Sequence, residues 1–285
     1  MTILVTGATG TVGGAVVDQL VSRGRKVRAL TRNPDGARFP DGVEVVRGDL
    51  ARPREWADAL AGVTGVFLLA VLDSQEAAVT HAKSFMECAV RSGVGRVVFL
   101  STDAVTVRRP GSHETHLAVE RVIERSGLAW THVRPGEFMA NKLDVWAPSI
   151  RAEGVVRAAF PDAVGVPVHE ADIAEVAVTA LVDDGHTGRA YSISGPEALT
   201  HREQAAAIGT GLGRDLRFEA QTYGQARAGM ISAGIPGEIA EYVLGYQAEY
   251  AQEPPSVRPD FAEVLGRPGR TLAQWAADHT AEFAA

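Results

Sequence analysis

The chain has a single cysteine, Cys88, among 285 residues. An internal disulfide is therefore excluded, and Cys88 falls in the helical run AVTHAKSFMECAVRSG, where a small buried apolar residue is expected. Long apolar runs are missing too: none approaches the roughly 20 residues that span a bilayer, and no basic segment precedes a signal-like core. A soluble, cytoplasmic protein with no membrane attachment is expected. Positive charge is in deficit, with 28 basic against 35 acidic side chains and a net charge of −7. Such a surface repels polyanions, so direct binding of nucleic acid is not expected. Two catalytic signatures are also absent. Without Gly-x-Ser-x-Gly a serine hydrolase has little support, and the Tyr-x-x-x-Lys pair of orthodox short-chain reductases does not occur. His113 and His116 stand three apart on one predicted helix with no third ligand nearby, so no metal site is expected.

What is present is alternation. Through the first half, apolar strand-like runs at about 2–6, 26–31, 43–47, 64–70, 96–101 and 129–134 alternate with helical periodicity at about 11–23, 53–61, 75–92 and 113–126. That order predicts an α/β fold, a Rossmann-type doubly wound parallel sheet covered on both faces. After Pro135 the alternation stops. PDAVGVPVH and RAYSIS read as short strands, and ADIAEVAVTALV, HREQAAAIGTGL, EIAEYVLGYQAEY and TLAQWAADHTAEF as helices. The expected organisation is a Rossmann domain over 1–135, to which the chain returns around 161–195, and a smaller mixed C-terminal lobe over 136–285. Asp172, in EADIAEVA, reads as a helix cap. The amphipathic EIAEYVLGYQAEY suits a homodimer face or ordinary packing equally well.

The opening MTILVTGATGTVGGAVVDQL places Gly7-Ala8-Thr9-Gly10-Thr11-Val12-Gly13 between an apolar strand and an amphipathic helix. Glycines at this spacing allow a tight turn, close approach of backbone to a pyrophosphate, and packing of helix on sheet. The helix start then offers unpaired N–H groups to the phosphates. Arg32 follows Gly13 by nineteen positions, at the end of the second strand. An acid there would hold the ribose 2′-hydroxyl of NAD, whereas a guanidinium suits a 2′-phosphate. Asp35, the nearest acid, lies beyond Pro34 and outside the strand. NADPH is therefore the expected cofactor, ahead of NADH. Asp49-Leu50, closing the third strand in VVRGDL, either flanks the adenine or forms a turn.

GATGTVGG, the strand-ending TR, RGDL, VVFLST and HLAVERVIERSGLAWTHVRPGEFMAN resemble the NmrA-like group of atypical short-chain dehydrogenase/reductases. The likeness continues through ADIAEVAVTALV, RAYSISGPEALTHRE and TLAQWAADHTAEF, and so covers nearly the whole chain. That group includes quinone reductases and NADPH sensors. The resemblance implies the pyrophosphate on Gly7 to Gly13, the 2′-phosphate on Arg32, and adenine beside Asp49 and Leu50. It further implies the ribose against Leu69, Ala70 and Val71, and the nicotinamide near Ser101, Thr102, Pro135, Gly136 and Phe138.

The helix that would carry Tyr-x-x-x-Lys places Ser112 and His116 at those positions. Imidazole can transfer a proton near neutral pH, which makes His116 the candidate catalytic residue, against a reading as a plain polar helix residue. Met139 and Trp146, in EFMANKLDVWAPSI, are candidates to line a substrate pocket, or else to pack the core. Two functions follow. One is an NADPH-dependent reductase of a small conjugated carbonyl or quinone-like acceptor. The other is a dinucleotide sensor that reports to a protein partner without turnover. A cofactor-dependent epimerisation is a weaker third.

Overall fold

The computed structural model describes residues 1–52, 56–70, 74–111 and 113–284. Two compact units divide the chain: Met1–Pro135 with Glu170–Ile193, and Gly136–His169 with Ser194–Ala285.

In the first unit, β-branched and aromatic runs form β1 (Thr2–Val5), β2 (Lys26–Thr31), β3 (Glu44–Arg47), β4 (Gly65–Leu68), β5 (Arg96–Leu100) and β6 (Ala129–Pro135). Between them lie α1 (Thr11–Ser22), α2 (Trp56–Leu60), α3 (Gln75–Arg91), α4 (Ala104–Val107) and α5 (His113–Glu124). In the second unit, α6 (Asn141–Val145), α7 (Ala147–Glu153), β7 (Val155–Ala158) and β8 (Val164–Gly165) follow. The chain then re-enters the first unit with α8 (Glu170–Val182) and β9 (Arg189–Ile193).

The sheet of the first unit has seven strands, all parallel, in the order β3-β2-β1-β4-β5-β6-β9. Because the order reverses between β1 and β4, a crevice opens beyond their carboxyl ends. Side chains alternate across the sheet: Leu4, Val66, Leu68, Val97 and Phe99 join Phe85 and Met86 of α3 and Val119 and Ile123 of α5 in one core. Cys88 is buried in that layer, as expected. On the opposite face α1 packs against α8, burying Val16, Val17 and Leu20 with Ile173, Val176 and Ala177.

The rest of the second unit comprises β10 (Leu199–Thr200), α9 (His201–Leu212), β11 (Arg217–Ala220), α10 (Tyr223–Ser232), α11 (Gly237–Tyr250), α12 (Asp260–Leu265) and α13 (Leu272–Asp278). Its main core gathers Met139, Trp146, Ile150, Ile208, Leu272 and Trp275. Both α9 and α13 begin with a capping box, in which Thr200 and Thr271 reciprocate with Glu203 and Gln274. Two pairings depart from the sequence expectation. PDAVGVPVH supplies only Val164–Gly165, antiparallel to Leu199–Thr200, while the unanticipated VVRA and RFEA pair in parallel. The partners are distant in sequence, so local periodicity carries no sign of them.

Candidate functional site

The turn after β1 is built by backbone contacts. Gly7 takes φ +60°, in the left-handed region, and its carbonyl accepts the Gly10 amide at 2.9 Å. Gly10 caps α1, and Gly13 sits so close to the turn that a Cβ there would fall 2.1 Å from the Gly7 oxygen. No acidic side chain occupies the first turn of α1, so nothing opposes the positive end of the helix. Thr6, fully buried, accepts the Leu69 amide at 2.7 Å and ties the turn to the end of β4.

An open cleft of roughly 470 Å³ extends from this turn, lined by Gly7, Thr9, Arg32, Asp49, Leu50, Leu69 and Ala70 among others. Residues from the ends of β1, β2, β3 and β4 thus converge on one cleft. Val71 lies outside the described residues, as does Ser112. Arg32 is exposed, and among the described residues no carboxylate pairs with its guanidinium. Asp35 instead lies 3.7 Å from Arg47, whose guanidinium also donates to the Arg32 carbonyl at 3.1 Å. Arg47 was missed at the sequence level. Only the pairing of β2 with β3, which sets Thr31 opposite Arg47, reveals a second cation here. Asp49 holds its own turn by accepting the Ala51 amide at 2.9 Å. The residues fit a dinucleotide: a cradle that a Cβ would fill, a helix N-terminus without acids, and a cation at the end of β2.

At the carboxyl ends of β5 and β6 the geometry adds what the sequence reading lacked. The Ser101 hydroxyl donates to Glu120 Oε1 at 2.6 Å, and Arg134 donates to both Glu120 oxygens at 2.9 and 2.6 Å. Burial alone would push the fully buried Glu120 carboxyl up; the Arg134 and Ser101 hydrogen bonds outweigh it and hold the group below its ordinary value. Arg134 also reaches Thr106 at 3.3 Å, and Thr106 meets Ser192 at 2.7 Å. This network clamps the ends of β5, β6 and β9. Ser101, expected beside the nicotinamide, therefore has its hydroxyl proton committed inside the protein. Thr102 accepts the Ala104 amide at 3.3 Å, and Pro135 is buried as the last residue of β6.

His116 is half-buried on α5, one turn before Glu120. Its neighbour His113 caps Arg109, with Nδ1 2.7 Å from that carbonyl. In the second unit, Gly136 opens the chain and Phe138 forms a parallel bridge with Val168. Met139 is 1% exposed and packs in the core of this unit, the second of its two sequence readings, and its amide donates to the Val168 carbonyl. Trp146 does line a cavity, together with Glu137, Lys142 and His201.

Comparison with known proteins agrees with this geometry. Residues 7–184 match the NAD(P)H-binding family. The chain is 39% identical over 287 residues to (4-alkanoyl-5-oxo-2,5-dihydrofuran-3-yl)methyl phosphate reductase of Streptomyces griseus, covering 99% of each. It is 35% identical over 290 residues to NAD(P)H azoreductase of Xenophilus azovorans, again covering 99% of each. The crystal structure of the NADPH-dependent quinone oxidoreductase of Escherichia coli complexed with NADPH shares the fold, with a TM-score of 0.80 at 23% identity over 98% of this chain and 99% of that one. A glycine cradle at the switch point of a parallel sheet and reductase relatives along the full length lead to one assignment: the chain belongs to the NAD(P)H-binding family.

Proposed function

We propose that the protein is an NADPH-dependent reductase of a flat conjugated acceptor, an α,β-unsaturated carbonyl or a quinone-like ring. The observation that carries the cofactor is the cleft, where Arg32 stands without an acidic partner among the described residues and Asp35 is drawn to Arg47. When bound, NADPH supplies a hydride to an electrophilic carbon. The protein's own residues then orient and enclose. Gly7 to Gly13 and the start of α1 receive the pyrophosphate, Arg32 the 2′-phosphate, and Asp49, Leu50, Leu69 and Ala70 the adenosine half. Ser101, Thr102, Pro135, Gly136 and Phe138 remain the proposed nicotinamide neighbours, and His116 a proposed contact for cofactor or acceptor.

The acceptor class draws on the relatives. One is named for a ring double bond conjugated with carbonyls, another for an azo bond, and the structural neighbour for a quinone. All are flat π systems whose reduction leaves a stabilised anion. Such substrates ask less of a proton donor, which suits a chain lacking Tyr-x-x-x-Lys. That same lack supports the second reading, a sensor that binds NADPH without turnover.

One experiment separates them: NADPH oxidation across a panel of enones, quinones and azo compounds, with cofactor affinity measured on the same preparation. Turnover is the expected result, and tight binding with none across the panel favours the sensor. Arg32→Ala should weaken NADPH about tenfold to a hundredfold, the cost of losing one charge-assisted phosphate contact, and leave NADH nearly unchanged. Equal loss of both would remove the basis for choosing NADPH.

A further inference from the structure

The loop that follows β2 holds charges of both signs. Arg32 comes directly after the strand, and Asp35 lies three residues on, in the single 3₁₀ turn Pro34–Gly36. Both side chains are exposed. A bound 2′-phosphate carries about −1.5 to −2 charges at neutral pH, so Asp35 repels it and offsets the attraction of Arg32. With these two residues alone the loop offers a phosphate no net charge.

Arg47, the last residue of β3, alters that balance. Its Nη1 donates to the Arg32 carbonyl at 3.1 Å, and its Nη2 lies 3.7 Å from Asp35 Oδ2. The pairing of β2 with β3 puts it there: Thr31 stands opposite Arg47, and the Gly48 amide donates to the Thr31 carbonyl at 3.0 Å. Gly48 and Asn33, on either side of this junction, line the cleft with Arg32. The next acid along the rim, Asp49, has Arg52 3.8 Å away, so it too has a cation beside it. Asp35 and Arg47 are 90% and 62% exposed, and such a pair adds little to folding stability. Its effect falls on a ligand, because the charge that faces an anion at this end of the cleft depends on whether Asp35 is neutralised.

We propose that Arg47 sets the preference for NADPH over NADH by neutralising Asp35, which leaves the charge of Arg32 to act on the 2′-phosphate. The inference rests on the cofactor reading above and adds a positioning residue to it. Arg47 acts through Asp35 and not by contact with the phosphate. The two charges lie on different strands and loops, so the preference belongs to the pair and not to Arg32 alone.

The test measures dissociation constants of the full chain for NADPH and NADH, and for 2′,5′-ADP and 5′-AMP, which differ only by the 2′-phosphate. Arg47→Met should lower the preference for the phosphorylated member of each couple about threefold to tenfold, the size expected for one exposed charge acting a few ångströms away. Affinity for NADH and 5′-AMP should stay within about twofold of wild type, because neither presents the phosphate that Asp35 repels. Asp35→Asn/Arg47→Met removes both charges and should restore the wild-type preference. The gap between Arg47→Met and wild type should also close at about 1 M salt, where the screening length falls to about 3 Å. A role in merely holding the loop predicts the opposite: loss for both members of each couple, persisting in salt and in the double variant. A double variant whose preference stays nearer to that of Arg47→Met than to wild type overturns the proposal. A wild-type protein that binds 2′,5′-ADP no better than 5′-AMP sinks the NADPH reading itself, whereas a wild-type preference that Arg47→Met leaves intact overturns only the role of Arg47.

Discussion

At the scale of single residues, the polar groups buried in the first unit divide into satisfied and unsatisfied. Glu120 is fully engaged by Arg134 and Ser101. His132 is the contrary case: it is fully buried on β6, neither ring nitrogen makes a hydrogen bond among the described residues, Nε2 lies 3.4 Å from a Glu124 carboxylate oxygen, and the ring stacks on Trp130 at 4.5 Å between centroids. Burial, joined by the Arg134 charge, pushes its pKa down to about 4 from 6.5, against the pull of Glu120. A lowered histidine pKa means that the unfolded chain binds the extra proton first. Stability is therefore complete above pH 6.5 and falls as the pH drops through this window toward 4, by about 3 kcal/mol at most from this one group. Urea midpoints measured between pH 7 and pH 4.5 should show the decline. His132→Phe, which keeps the stacking and removes the titration, should flatten it. An unchanged pH profile in that variant would show that other groups carry the effect.

At the scale of elements, strand ends are joined to helix ends by arginines. Arg28 donates to the Ala59 and Ala61 carbonyls at the end of α2, and Arg96 to those of Leu181 and Asp183 at the end of α8. The opening β1-turn-α1 unit depends instead on the absence of side chains, and its glycines differ in what they protect. Gly13→Ala places a Cβ 2.1 Å from the Gly7 oxygen and must move either the turn or the helix. It should cost about 1–3 kcal/mol of stability even without cofactor, the usual range for overpacking. At Gly10 the nearest atom to a Cβ would be 3.3 Å away, so Gly10→Ala should cost only about 1 kcal/mol as a poorer cap while weakening NADPH strongly. Urea unfolding of both apo variants, paired with cofactor titration, checks the split. Comparable stability loss in the two would refute it.

For the whole molecule, the net charge of −7 repels extended polyanions, whereas the local field of Arg32, Arg47 and the start of α1 favours one small anionic cofactor. Binding to the native state alone should stabilise it by about 2.7 kcal/mol at a hundredfold excess over Kd. NADPH should thus raise the unfolding midpoint, and NADH at the same concentration should raise it less. Equal shifts would place the preference outside Arg32. Among the described residues no helix is long and apolar enough to cross a membrane. The parallel sheet, its helical cover, the glycine turn and the cation after β2 were legible in the sequence, because each rests on periods of a few residues or on the conformational needs of single glycines. Arg47 beside Arg32, the Glu120–Arg134–Ser101 clamp, the burial of Met139 and that of Lys142 against Glu137 were decided only by tertiary structure. Strand register and packing bring those residues together, and a linear pattern does not encode which charged side chain will be taken out of water or which partner will meet it there.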